Sequence, residues 1–194
     1  MSAHTDGHAN ARPSGRLIYV MGPSGAGKDT LLAFARAKLS GTSVLFAHRY
    51  ITRLADAGGE NHVFLSDDEF DTRAALGLFA LAWQSHQLRY GIGVEIDAWL
   101  ERGCTVVVNG SRGHLAEAIE RYPQLEVVLI DANPTVLAAR LTARGRESAE
   151  QVQARLARRV ALDVPEGVSM TTIDNSGMLE DAARMLLEML ETLD

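Results

Sequence analysis

The chain has 194 residues, enough for one domain with a substantial core, and its apolar and charged fractions of 46% and 23% are those of an ordinary globular protein. Its 19 Lys and Arg against 25 Asp and Glu leave a formal net charge of −6, which excludes a general nucleic-acid binder, and one cysteine, Cys104, excludes an internal disulfide. There is no signal-peptide h-region and no apolar run long enough to span a bilayer, so the expected location is the cytoplasm, with no membrane partner.

Residues 1–14 (MSAHTDGHANARPS) are polar and aperiodic and read as a disordered tail, leaving 15–194 as one domain. RLIYVM (16–21) is an apolar run that ends in a Gly-Pro-Ser-Gly turn, hence a buried strand. Over 28–39, Leu31, Leu32, Ala35 and Leu39 fall on one helical face, and Ser40-Gly41 stops the helix. SVLFAHRYIT (43–52) reads as a second strand, RLADAGGENH (53–62) as a loop and VFLS (63–66) as a brief strand. Ser66 is placed to cap a helix opening at DDEF, with Glu69 as its capping-box partner. FDTRAALGLFALAW (70–83) reads as helix interrupted near Gly77, YGIG (90–93) as a turn, and the next stretch as helix through Leu100.

TVVVN (105–109) and EVVLID (126–131) are continuous apolar runs, which suit parallel strands covered on both faces, with a helix over 113–122 between them; Cys104 reads as a small buried residue at the edge of the first. A helix over 133–145 begins near Pro134 and ends at Gly145, and a second follows over 147–160. SMTTIDN (169–175) is a last strand, and 177–193 a final helix with Leu and Met on its core face. Strands alternating with helices predict a parallel α/β sheet whose strand-to-helix loops form the site.

MGPSGAGKDT (21–30) carries the chemistry. Gly22, Gly27 and Lys28 match G-x-x-x-x-G-K-[ST] between a predicted strand and helix, the context in which that motif cradles phosphate. Gly22, Pro23, Ser24, Gly25, Ala26 and Gly27 form the nucleotide-binding loop, whose glycines let backbone N–H groups turn inward around phosphate, and the helix start adds partial positive charge. Lys28 reaches the β- and γ-phosphates. The position that should carry a hydroxyl holds Asp29, and Thr30 stands one step late. Two roles fit Asp29: holding magnesium through water, or stabilising the helix start while pointing away.

A GTPase would need N-K-x-D, and the only lysines, Lys28 and Lys38, lie outside any such motif. Asn109 ends its strand where many ATPases place a metal-organising aspartate, which disfavours a motor or switch ATPase. A small-molecule kinase remains, and it needs a mobile, arginine-bearing lid. RLTARGRESAEQVQARLARR supplies Arg140, Arg144, Arg146, Arg155, Arg158 and Arg159, although a solvated amphipathic helix has the same composition. Arginine suits phosphate recognition, and a codon bias would also favour it.

From about 16 to 190 the sequence resembles the guanylate kinase family: GPSGAGK its phosphate loop, ITR…GGEN-HVFLS its acceptor segment, YGI its Y-G-T, and RLTARGRESAEQVQARL its lid. The resemblance implies a P-loop nucleoside-monophosphate-kinase-like three-layer α/β fold with a parallel sheet, an acceptor-binding insertion near 46–92 and an arginine-rich helical lid near 140–160. It also implies ATP as donor with Mg2+. The positions that read guanine in that family hold Arg49, Leu81, Ile92-Gly93 and the NGS of 109–111, and Asp56 replaces an acceptor arginine. A pocket stripped of those groups cannot read the base, so the expected acceptor is phosphate-bearing, anionic and without a guanine. HRYITR (48–53), GGENH (58–62), the stretch Trp83–Asp97, NGSR (109–112) and RGRE (144–147) resemble the ribose 1,5-bisphosphate phosphokinase family of phosphonate breakdown. That resemblance implies phosphorylation of the 1-phosphate of ribose 1,5-bisphosphate.

The expected catalytic set is Lys28, Arg140, Arg144 and Arg155, with Arg146 in support. Arg144 also serves the nucleotide, Asp29 and Thr30 are the metal candidates, and Arg49, Arg53, Tyr90 and Arg112 hold the acceptor. His48, His62, His86, Glu95 and Asp97 are open candidates for acceptor contacts, as Asp174 and Asn175 are for adenine. The sequence leaves the oligomeric state open, a homodimer included. Two alternatives stand beside this reading: a guanylate or other nucleoside monophosphate kinase, and a non-catalytic guanylate-kinase-like interaction module.

Overall fold

A computed structural model describes residues 15–54, 62–85, 87–143 and 164–191. The chain runs β1 (Arg16–Met21), α1 (Lys28–Lys38), β2 (Val44–Phe46), β3 (Arg49–Ile51), β4 (His62–Phe64), α2 (Asp67–Ala75), β5 (Phe79–Ser85), β6 (Leu88–Gly93) and α3 (Glu95–Glu101). It continues through β7 (Thr105–Asn109), a 3-10 turn at Arg112–His114, α4 (Leu115–Arg121), β8 (Glu126–Asp131), α5 (Pro134–Ala143), β9 (Met170–Asp174) and α6 (Leu179–Glu191).

Five strands form one sheet in the order β2-β7-β1-β8-β9, every pair parallel. The continuous apolar runs of the sequence become its central strands because both faces are covered. Along β1 the side chains alternate. Ile18 and Val20 join a cluster with Leu31 and Ala35 of α1, Leu137 of α5 and Leu186 and Leu190 of α6. Leu17, Tyr19 and Met21 face the other way, into a cluster with Ile96 of α3 and Leu115 and Ala118 of α4. Each such fully buried aliphatic side chain contributes about 1.5–3 kcal/mol. At the amino ends of the strands Arg16 makes a two-pronged ion pair with Glu126, at 2.8 and 3.0 Å, tying β1 to β8 away from the loops that form the site.

A second sheet has the order β4-β3-β6-β5; β3 runs parallel to β4 and antiparallel to β6, and β5 and β6 form an antiparallel hairpin. It joins the first through a shared core, since Ala80, Leu81 and Ile92 belong to the same cluster as Leu17 and Val106.

This second sheet is where the sequence expectations fail. The strand expected over 43–52 is two strands in different sheets, because Ala47 N–H donates to Val107 O before Arg49 starts pairing with β6. The helix expected over 70–83 ends at Ala75. Gly77 takes a left-handed φ of 68° and the chain turns into β5, where cross-strand pairing overrides the helix propensity of the Ala and Leu residues. YGIG is part of β6 rather than a turn. Its Gly91 is needed because the Phe79 ring lies against the strand, 2.5 Å from where a Cβ would sit. Ser66 does cap α2, accepting from Glu69 N–H at 3.2 Å, but the Glu69 carboxylate pairs with Arg73 instead of returning to the cap. Cys104 is half-exposed at the margin of its cluster. The expected tail (1–14) and the second lid helix (147–160) lie outside the described residues.

Candidate active site

The phosphate loop leaves β1 and opens α1, as its sequence context requires. Its glycines are forced by space and by backbone angle. A Cβ at Gly22 would sit 2.1 Å from Ile130 O. Gly25 and Gly27 have φ of 87° and 84°, the left-handed region that favours glycine. Gly27 is the N-cap of α1 and no side chain caps it, so the helix start is a bare cluster of N–H groups suited to an anion. Lys28 follows, its side chain 14% exposed and its Nζ 3.4 Å from Asp29 Oδ1.

Asp29 sits between three groups. Burial acts to raise its carboxyl pKa, but the charges of Lys28 and Arg49 and the hydrogen bond from Asn109 outweigh it, and the group lies below its ordinary 3.8. Asn109 ends β7, donates from Nδ2 to Asp29 Oδ1 at 3.1 Å and leaves its own buried Oδ1 without a hydrogen-bond partner among the described residues. Asn109 thus acts as a neutral orienter of the loop carboxylate, in the place where an aspartate would repel it. The Gly110-Ser111 loop that follows is pinned by Tyr19. Its hydroxyl donates to Ser111 O at 2.8 Å and accepts from Ser111 N at 2.9 Å, its ring fills the space a side chain at Gly110 would need, and burial pushes its pKa up to about 12.

The second sheet meets this loop with a column of stacked side chains. The guanidinium of Arg49 lies over the ring of Tyr90 at 5.3 Å, Tyr90 stacks on Trp83 at 5.4 Å with the rings 5° from parallel, and Trp83 stacks on His114 at 5.4 Å. The register explains the column: Trp83 pairs with Tyr90 across β5 and β6, and Ile51, two residues from Arg49 on the same face of β3, pairs with Tyr90. Arg49 therefore presents a cation already fixed by stacking, close enough to act electrostatically on both Asp29 and Tyr19.

No protein-family model matches the chain. It is 63% identical over 178 residues to ribose 1,5-bisphosphate phosphokinase PhnN of Burkholderia pseudomallei, covering 92% of this chain and 96% of the relative. It is 52% identical over 181 residues to the protein of the same name from Thiobacillus denitrificans, covering 93% and 95%. The chain belongs to the ribose 1,5-bisphosphate phosphokinase family. Its fold is that of the guanylate kinases. The crystal structure of guanylate kinase from Anaplasma phagocytophilum aligns with a TM-score of 0.64 over 93% of this chain and 86% of that one, at 16% identity.

In this phosphokinase, then, the structure brings Asp29 of the loop, Asn109, Arg49 and Tyr90 together, with Arg140 of α5 over the loop; Arg140 Nη1 is 3.4 Å from Gly25 O and 3.5 Å from Ala26 O. Thr30 is exposed in the first turn of α1, and Arg112 is exposed in the 3-10 turn after β7. Arg53 follows β3, and its carbonyl contacts His62 Nε2 at 3.1 Å. Of the open candidates, His48 is exposed between β2 and β3, and Glu95 lies within 3.5 Å of the Tyr50 hydroxyl. Asp97 is committed elsewhere, accepting from Tyr122 OH at 2.6 Å and from Arg121 at 3.2 Å, both on the α4 side. Leu81, the position where the related fold reads its base, is 4% exposed inside the shared core. Arg144, Arg146, Arg155, Asp56 and His86 lie outside the described residues. Sequence reasoning missed Trp83 and His114 as the base of the stacked column, because a helical reading of 70–83 places Trp83 on no sheet.

Proposed function

We propose that this protein transfers the γ-phosphoryl group of ATP to the 1-phosphate of ribose 1,5-bisphosphate, giving 5-phospho-α-D-ribose 1-diphosphate and ADP. Membership of the family supports the reaction. The observation that carries the assignment of roles is Arg49, a stacked cation of the second sheet acting on Asp29 of the phosphate loop. Two anion sites thus face each other, one built from backbone N–H groups and one from a guanidinium.

An oxygen of the acceptor 1-phosphate attacks the γ-phosphorus as the bond from that phosphorus to the β-bridging oxygen breaks. The nucleophile is already ionised, so no general base is needed. Lys28 and the loop N–H groups hold the β- and γ-oxygens. Arg140, with Arg144 and Arg155, closes over the transferring group, where charge spreads over its oxygens, and Arg146 supports them. Arg49 and Arg53 hold acceptor phosphate, and Tyr90 and Arg112 border it. The sugar needs no base reader, which agrees with an apolar Leu81.

The site fits a hydrated magnesium. Among the described residues no three His, Cys, Asp or Glu side chains come together as a metal cage. Asp29, ionised and oriented by Asn109, is suited to hold the ion through water, and Thr30 is the second candidate. When bound, the ion neutralises charge on the β- and γ-phosphates. Comparing the magnesium dependence of Asp29→Asn with wild type tests this: an unchanged requirement and turnover remove the metal role from Asp29.

No helix among the described residues is long and apolar enough to cross a membrane, and we place the reaction in the cytoplasm. The deciding experiment is phosphorus NMR of the products formed from ATP with a panel of phosphorylated sugars and nucleotides. A pyrophosphoryl signal from ribose 1,5-bisphosphate is expected. Faster turnover of GMP makes the protein a nucleotide kinase, and no ATP binding with magnesium makes it an interaction module.

A further inference from the structure

We infer that Asn175 is a positioning residue of the phosphate loop: its buried side-chain amide holds the Ala26–Gly27 peptide so that the Gly27 N–H turns into the cradle. This deepens the proposed function and rests on its reading of residues 22–30 as the site of the ATP phosphates.

Asn175 follows β9, 149 residues from the loop, and is 1% exposed; its Nδ2 donates to Ala26 O at 2.7 Å. In a trans peptide the C=O and the following N–H point to opposite sides. Holding the Ala26 carbonyl on the Asn175 side therefore directs the Gly27 N–H to the other side. Gly27 itself supplies no such restraint, since glycine populates positive and negative φ about equally. A rotated peptide would take one donor from the cradle and turn a carbonyl dipole toward the phosphates. Arg140 approaches the same carbonyl at only 3.5 Å, and its proposed role is to move onto the transferring group, so it is no fixed anchor.

Asn175 is fixed by its own surroundings. Its backbone N–H donates to Asp131 O at 2.7 Å, extending the β8–β9 ladder. Its neighbours form a tight turn in which Ser176 N–H and Oγ bond the Asp174 carboxylate, and Ser176 Oγ accepts from Asn133 N at 2.7 Å. The fit to the loop has no slack, as a Cβ on Gly27 would lie 2.3 Å from Asn175 Nδ2. The Oδ1 atom is buried and has no hydrogen-bond partner among the described residues, so the residue bears the stability cost of a buried amide for the single bond it gives the loop.

The test measures binding of ATP and of tripolyphosphate, each with magnesium, by calorimetry, with thermal midpoints recorded alongside. Tripolyphosphate carries the phosphates without the base. Asn175→Leu is expected to weaken both ligands by the same factor, about 10-fold or more, while the KM for ribose 1,5-bisphosphate stays within about 2-fold, since that ligand does not touch the loop peptide. In Asn175→Asp the ionised carboxylate cannot donate to Ala26, but the protonated acid can, and burial raises its pKa. Affinity in that variant is therefore expected to recover as the pH falls, with no such recovery in wild type. In the wild-type protein the Asn175 side-chain amide protons are expected to exchange slowly with solvent, and the Gly27 amide resonance to move on addition of tripolyphosphate. Four results overturn the inference: wild-type affinity in a folded Asn175→Leu, loss of ATP binding without loss of tripolyphosphate, no acid recovery in Asn175→Asp, or fast-exchanging Asn175 amide protons in wild type. Failure of wild type to bind either ligand refutes the reading of the loop itself, before any variant is made.

Discussion

In the proposed mechanism the two sheets hold a phosphate by different means. The parallel sheet does it with backbone: strand ends, left-handed glycines and a bare helix start, arranged by a core that alternates on both faces of β1. The second sheet does it with side chains, a guanidinium over Tyr90, which stacks on Trp83, with His114 of the turn after β7 behind them. A backbone cradle accepts any polyphosphate and says little about what is attached to it. A stacked cation is set by the identity of four residues and can be changed one residue at a time. The comparison predicts that donor binding and acceptor choice are separable in this molecule.

The largest expected effect tests the backbone half. Lys28→Ala should lower kcat on the order of 10²–10³-fold, because it removes the cation that follows charge onto the β–γ bridge. Single-turnover kinetics checks it, and a loss confined to KM would place Lys28 in binding alone. Next, Arg49→Gln should raise the KM for ribose 1,5-bisphosphate about 10- to 100-fold, the worth of a charge-assisted hydrogen bond, and leave ATP affinity nearly unchanged. Equal losses for both ligands in calorimetry would break the separation of the halves. Trp83→Leu should act in the same direction but more weakly, about 2- to 10-fold in acceptor KM, because it removes stacking rather than charge. Trp83→Phe should restore most of it, and if both variants leave KM alone the column does not orient Arg49.

The smallest effect is on pH. Burial lowers the pKa of His114 below its ordinary 6.5, with Glu117 opposing. The unfolded chain then takes up the proton first, so the stability supplied by neutral His114 is complete above about pH 6.5 and declines as the pH falls toward the folded value. Thermal midpoints from pH 7.5 to 5.5 should fall less for His114→Gln than for wild type.

The parallel sheet was legible in the sequence because its signals are redundant. TVVVN and EVVLID are too short and too apolar for anything but central strands, and the phosphate loop names both its preceding strand and its following helix. The second sheet was not, because its strands are short and its helix-forming residues mislead. Ala80 and Leu81 read as helix, and only Phe79 lying on Gly91 and the Glu95 carboxylate against Gly93 show why two glycines belong in β6. Arg49, Arg140 and Tyr90 became site candidates through the resemblance to kinase motifs, and Asp29 through the phosphate-loop motif itself. The bond from Asn175 to the loop had no sequence signal, because no local pattern reports a hydrogen bond made across 149 residues. The role of Asn109 was half visible: its place at a strand end marked the missing carboxylate, while its bond to Asp29 needed the third dimension.

The second sheet leaves the parallel sheet after β2 and the chain returns to it at β7, and these two strands lie side by side, joined further by the bond from Ala47 N–H to Val107 O. The whole excursion from 49 to 93 thus hangs from one seam. Lengthening it, shortening it or exchanging it for another small sheet would re-thread no strand of the five. What any replacement must preserve is the apolar plug of Ala80, Leu81 and Ile92, which reaches back beneath β1 and seals the seam from below. A scaffold of this kind lets the identity of the phosphoryl acceptor drift while the machinery that opens the nucleotide stays where it is.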